Sequence, residues 1–98
     1  MKSYLQIDLD ILDLEVFMEY VQRIPDLIHK HGGRYIVQGV EPTVVQGDGG
    51  IPQRSVVLEF PDKKSAVSFL EERAATDLHE IWEQSTNSRI LMLEGVAE

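Results

Sequence analysis

The stretch His31–Asp62, HGGRYIVQGVEPTVVQGDGGIPQRSVVLEFPD, decides the fold. Gly32-Gly33, Glu41-Pro42 and Gly47-Asp48-Gly49-Gly50 punctuate three short runs of β-branched and apolar residues. Glycine, proline and aspartate favour turns, so the runs between them read as extended chain. Arg34 to Gln38 is one strand. Gln53 to Phe60 is another, with Val56, Leu58 and Phe60 on one face. Thr43 to Gln46 is expected as a short extension or hairpin arm. Pro61 stops the strand before it.

Helical segments flank this region. On the N-terminal side, Asp13 reads as an N-cap, with Glu15 in the first turn complementing the helix dipole. Leu14, Phe17, Met18, Val21, Ile24 and Ile28 then recur at spacings of three and four, one apolar stripe. Lys30 and His31 close that helix and Gly32 ends it. On the C-terminal side Asp62 caps a second helix. Its stripe runs through Ala66, Val67, Phe69, Leu70, Ala74, Leu78, Ile81, Trp82 and Ser85. Arg73 to Asp77 lacks large apolar residues, which predicts a break there.

One more strand lies at each end. Leu5, Ile7 and Leu9 alternate with Tyr4, Gln6 and Asp8, the period of a half-buried strand. Arg89 to Glu94 is the last strand, apolar on both faces: Ile90 and Met92 on one, Leu91 and Leu93 on the other. The order is β-α-β-β-α-β. This is a ferredoxin-like α+β fold, a four-stranded antiparallel sheet with two helices on one face. Residues 1–98 are expected as a single domain. Two helices cover only one face of such a sheet, so the other face calls for a partner, most simply a second copy. A homodimer through the sheet face is therefore expected.

Composition narrows the function classes. The net charge is −8, from 17 acids against 9 lysines and arginines. That surface repels phosphate backbones and anionic lipid heads, and no basic stripe offsets it. Neither nucleic acid nor membrane is an expected partner. No apolar run approaches the ~20 residues that span a bilayer, and no export signal is read at the N-terminus. Cytoplasm is the expected location. There is no cysteine, hence no disulfide and no thiol chemistry.

The segments HGGRYIVQG, EPTVVQGDG, RSVVLEFPD and RILMLEG together resemble a known family. They are similar to small bacterial domain-of-unknown-function proteins of the dimeric α/β-barrel superfamily. The resemblance runs from about Tyr4 to Gly95. It implies a dimeric α/β barrel. That superfamily also holds cofactor-independent monooxygenases, muconolactone-isomerase-like enzymes and chlorite-dismutase-like haem proteins. The chain departs from the family's usual pattern at several positions. Gln38 and Val40 stand where an arginine and a glycine are usual, Gln46 replaces a glutamate, and Gly49 replaces an aromatic residue. These departures imply a different ligand here, or none.

Several residues are candidates for chemistry. Glu59 sits mid-strand on the face opposite Val56 and Leu58. A carboxylate excluded from water there is either raised in pKa towards general-base use or paired with Arg34 or Arg54. It is the one catalytic candidate. Arg54 begins the same strand and is suited to an anionic group, or to bracing Asp48. Tyr4, Gln6 and Asp8 share the outer face of the first strand. Tyr4, Gln6, Asp8, Arg34, Arg54 and Glu59 are thus the expected ligand-binding set. Asp8, Asp10 and Asp13 lack the glycine and distant glutamate of a calcium loop. His29 and His31 lie two apart on a helix, pointing away from each other, and His79 stands alone. No metal and no cofactor are expected, and a haem would need one of these histidines aimed into the barrel. The expected function is the binding of a small organic molecule in a cleft between sheet and helices. A cofactor-independent monooxygenase or isomerase is the alternative, and a structural or regulatory interaction module a further one.

Overall fold

In the computed structural model, residues 1–97 are described, and Glu98, the last residue of the expected domain, lies outside the described residues. The elements are β1 (Ser3–Ile11), α1 (Leu14–Lys30), β2 (Arg34–Val40), β3 (Arg54–Phe60), α2 (Lys63–Ala74), α3 (Leu78–Ser85) and β4 (Thr86–Glu94). The strands form one antiparallel sheet in the order β2-β3-β1-β4. This is the ferredoxin-like α+β arrangement. β1 is central because its alternation buries Leu5, Ile7 and Leu9 on the helix side while Tyr4, Gln6 and Asp8 take the other.

The caps form as their residue types require. The Asp13 side chain accepts from the Val16 amide at 3.1 Å, and Asp62 accepts from the Ser65 amide at 2.7 Å. Past the end of α1, Gly32 takes φ 77°, the left-handed conformation that ends a helix. Gly33 is required for a different reason. A Cβ there would lie 2.6 Å from Phe60 Cε1 and 2.9 Å from Ile28 Cγ2. The chain thus leaves α1 pressed against two core side chains.

The break expected within Arg73–Asp77 forms: the second helical segment is two helices, so three helices rather than two cover the sheet. Thr76 divides them: its hydroxyl donates to the Arg73 carbonyl at 3.0 Å and accepts from the Leu78 amide at 3.2 Å. Arg23 of α1 then holds Asp77 at 2.6 Å, fixing the start of α3. Two expectations are corrected. Thr43–Gln46 adopts no regular structure; residues 41–53 simply connect β2 to β3. The inward face of α1 is centred on Tyr20, Ile24, Leu27 and Ile28, while Leu14, Met18 and Val21 are exposed. Tyr20 displaces them because its ring is apolar and its hydroxyl finds a buried partner, described below.

β2 reaches β3 through two register shifts, between Tyr35 and Val37 and between Gln38 and Val40. Gly39 sits in the second with φ 68°. A bulge of this kind re-aims the strand, and here it brings Gln38 and Gly39 to the helix side.

Candidate functional site

The two layers do not fill the space between them. A cavity of about 220 Å³ lies between the sheet and the helices. Its floor is Leu5, Ile7, Leu9 and Ile11 of β1, with Val56 and Leu58 of β3 and Ile90 of β4. These are the side chains that period-two alternation sends to one face. Its roof is Phe17, Tyr20, Ile24 and Ile28 of α1, Phe69, Leu70 and Arg73 of α2, and Trp82 of α3. The polar wall groups are Tyr20, Tyr35, Gln38, Arg54 and Arg73. A mainly apolar concavity with a few polar groups is the usual form of a small-molecule site.

Those polar groups are unequal. Arg54 is exposed, and its Nη1 donates to the neighbouring Gln53 carbonyl at 2.8 Å. Arg73 is only 6% exposed. Its guanidinium carbon lies 5.7 Å from the Tyr20 ring centre and 5.5 Å from that of Trp82. Such cation–aromatic contacts offset part of the cost of burying the charge. Its Nε donates to the Tyr20 hydroxyl at 2.9 Å, and its Nη2 is buried with no hydrogen-bond partner. The Tyr20 and Trp82 ring centres lie 4.8 Å apart with the rings tilted by 45°, and the Trp82 indole N–H donates to Ser88 Oγ at 2.8 Å. Burial pushes the Tyr20 phenol above its ordinary pKa, and the Arg73 charge acts in the opposite direction. Tyr35 is also raised, chiefly by burial.

Of the six residues expected to bind a ligand, Arg54 lines this cavity. Tyr4, Gln6, Asp8, Arg34 and Glu59 do not; they lie on the opposite, open face of the sheet. Strand register arranges that face in three rows: Arg34–Glu59–Tyr4–Leu93, Val37–Val57–Gln6–Leu91, and Val40–Ser55–Asp8–Arg89. A cleft between sheet and helices and a ligand set on the outer face are therefore two different places.

Glu59 is paired. Its Oε1 accepts from Arg34 Nε at 2.9 Å and lies 3.5 Å from Lys2 Nζ. The hydrogen bond from Arg34, more than any other cause, holds the Glu59 carboxyl below its ordinary range, the reverse of the shift a general base needs. Asp8 is engaged too, accepting from Ser55 Oγ at 3.0 Å and from Arg89 Nη2 at 3.4 Å. Asp10 accepts from the Gln53 amide at 2.8 Å, while Gln53 Oε1 accepts from the Ile11 amide at 3.0 Å. The aspartates of β1 thus fasten neighbouring chain.

Among the described residues, no group of three or more metal-binding side chains converges. None of the three histidines lines the cavity. His31 caps α1 and lies 3.2 Å from Glu72. No helix of the described residues is long and apolar enough to cross a membrane.

The sequence reading missed Tyr20, Arg73 and Trp82 as a group. A signal was present: Ala66, Phe69, Leu70 and Arg73 have the i, i+3, i+4, i+7 spacing of one helical face. An arginine on an inward stripe is the anomaly that marks the site.

A family model described as "Domain of unknown function (DUF1330)" matches residues 2–96. No curated protein matches the chain. Among solved structures, a protein of unknown function from Rhodopseudomonas palustris superposes with TM-score 0.74 at 14% identity, covering 99% of this chain and 84% of that one. A dimeric protein of unknown function with a ferredoxin-like fold, from Bacteroides fragilis, gives TM-score 0.61 at 12% identity, with 96% of each chain covered. SnoaB, a cofactor-independent oxygenase from Streptomyces nogalater, gives 0.63 at 9% identity, covering 99% of this chain and 95% of its own. At such identities the likeness is one of fold.

Proposed function

The chain belongs to the family described as Domain of unknown function (DUF1330), and on that footing we propose that it binds a small organic molecule in the cavity between sheet and helices. The cavity carries this reading. Its apolar walls are contributed by all three helices and all four strands, so it is a product of the whole fold rather than of one loop. Its 220 Å³ is smaller than the ~300–1,000 Å³ of sites for drug-sized ligands, which points to a compact ligand.

Binding has more support than catalysis as a cofactor-independent oxygenase or isomerase. Among the described residues, the cavity wall holds no Asp, Glu, His, Ser, Thr or Cys. The acid–base groups left in it are the phenols of Tyr20 and Tyr35, whose pKa values burial raises, which makes them poor general bases at neutral pH. The oxygenase activity belongs to SnoaB, whose likeness to this chain extends to the fold.

The reading also takes residues 1–98 as one dimeric α/β-barrel domain that pairs through its open sheet face. Leu91 and Leu93 are 38% and 47% exposed there on β4, and Val37, Val57 and Val40 stand on the same face on the far side of β1. Exposed apolar groups on one sheet face are suited to a partner surface. The Bacteroides fragilis neighbour is described as dimeric. Native mass spectrometry of the purified protein tests the ligand: a retained organic mass on the folded protein is expected. Protein that carries none, and takes up none from a library of small organic compounds, contradicts the proposal.

A further inference from the structure

Arg73 presents a problem that its own protein does not solve. A buried cation without an anion is costly, because the charge has left water and nothing of opposite sign compensates it. Two aromatic rings and the C-terminal end of the α2 dipole offset part of that cost. Neither uses the in-plane N–H donors. Nε is satisfied by Tyr20, whereas Nη2 is enclosed and unpartnered. Among the described residues, no carboxylate lies within ion-pairing distance of this guanidinium; the adjacent Glu72 is paired with Lys30, and Asp77 with Arg23.

Tyr20 adds a second open valence. Its oxygen accepts from Arg73, so its own O–H remains to donate. Both residues belong to the cavity wall, and the roof and floor around them are mainly apolar, with Tyr35, Gln38 and the exposed Arg54 as the other polar lining groups. An apolar chamber whose buried corner holds a cation and a phenol O–H is complementary to an amphiphilic anion. A carboxylate fits best, since its two oxygens match the planar guanidinium fork and a hydroxyl donor together.

Resting on the ligand-binding reading above, we infer that the occupant is a small organic carboxylate. Its carboxylate is held by Arg73 and Tyr20, and its hydrocarbon body lies over Leu5, Ile7 and Leu58. The bound anion completes the charge balance that the protein leaves open. A neutral molecule of the same shape fills the cavity without doing so.

Two matched pairs of probes test this: hexanoate against hexanamide, and benzoate against benzamide. Each is titrated at neutral pH into the full chain and into Arg73→Met and Tyr20→Phe, with backbone amide and Trp82 indole NMR signals as the readout. Each acid is expected to bind the wild type about tenfold or more tighter than its amide. Arg73→Met removes that preference and keeps amide binding, while Tyr20→Phe weakens the acid more than the amide. Acid and amide binding equally to the wild type overturns the inference and leaves the ligand-binding reading standing. A preference that survives Arg73→Met also overturns it. Failure of all four probes to bind overturns the inference, and the ligand-binding reading falls with it only if the purified protein also retains no organic mass and takes up none from the library. The wild-type comparison decides the matter alone if either variant does not fold.

Discussion

Arg73 Nε donates to the Tyr20 hydroxyl at 2.9 Å, and this bond ties the last turn of α2 to the middle of α1 across the roof of the cavity. It leaves Arg73 Nη2 buried and unpartnered. An arrangement built only for stability would place a carboxylate there or omit the charge. Replacing Arg73 by Met, which has similar reach and no charge, separates the two purposes. Thermal melts should place Arg73→Met at or above the wild type, as expected when a strained functional group is removed. A loss of ~2 kcal/mol or more would make Arg73 a structural strut held by its two rings.

Glu59 gives a prediction with a defined pH dependence. Its folded-state pKa is depressed, chiefly by the hydrogen bond from Arg34. A depressed acid stabilises the fold above its unfolded pKa, and that contribution is lost as pH falls through the folded value. Glu59→Gln should therefore melt below the wild type at neutral pH, and the gap should close in acid. A gap that persists unchanged at low pH, or a Glu59→Gln protein more stable than the wild type at pH 7, contradicts the ion pair.

The buried phenols act at the other end of the scale. Tyr20 and Tyr35 are both raised by burial. Their neutral forms favour the folded state, so their contribution is complete below the ordinary tyrosine pKa of ~10 and is lost as pH rises through the folded values. Ultraviolet titration should show these two tyrosines ionising late, and Tyr20→Phe should flatten the alkaline decline in stability. A normal titration of Tyr20 would mean that water reaches its hydroxyl freely.

Gly33 tests the packing beneath the turn after α1. An added methyl meets Phe60 Cε1 at 2.6 Å and Ile28 Cγ2 at 2.9 Å, and both neighbours are fully enclosed in the core. Gly33→Ala should cost ~1–3 kcal/mol by overpacking. Gly50→Ala, where an added methyl meets nothing within 4 Å, serves as the control and should be nearly neutral. Equal melting of the two variants would show that the core yields more easily than its geometry implies.

The open sheet face predicts assembly. Leu91 and Leu93 stand on it in adjacent rows, flanked by Gln6 and Tyr4 of β1. Light scattering after gel filtration should report about twice the monomer mass, and Leu91→Glu should halve it by burying a charge at the partner sheet. A wild type that stays monomeric at all concentrations removes the pairing from the account.

The strands were legible because a period of two is hard to mimic: Leu5, Ile7 and Leu9 could bury together only as extended chain. Asp13 and Asp62 announced the helix starts because a short acceptor side chain satisfies free amides there. The break near Thr76 was legible as a gap in the apolar stripe. The site was harder to read. Alternation tells which residues share a face but not which face holds the cavity, so Glu59 and Tyr4 were grouped with a cleft on the other side of the sheet. Arg73 was hidden because a charged residue is ordinarily solvated, and only the folded packing of Tyr20 and Trp82 around it makes its burial evident.

The central claim, that the cavity between sheet and helices is where a ligand binds, is tested most directly by mapping hexanoate-induced NMR shifts onto the chain. The account predicts that the largest shifts fall on Tyr20, Leu70, Arg73 and Trp82 above the cavity and on Ile7 and Leu58 below it. Shifts clustered instead on Tyr4, Gln6 and Glu59 would place binding on the open face and contradict it.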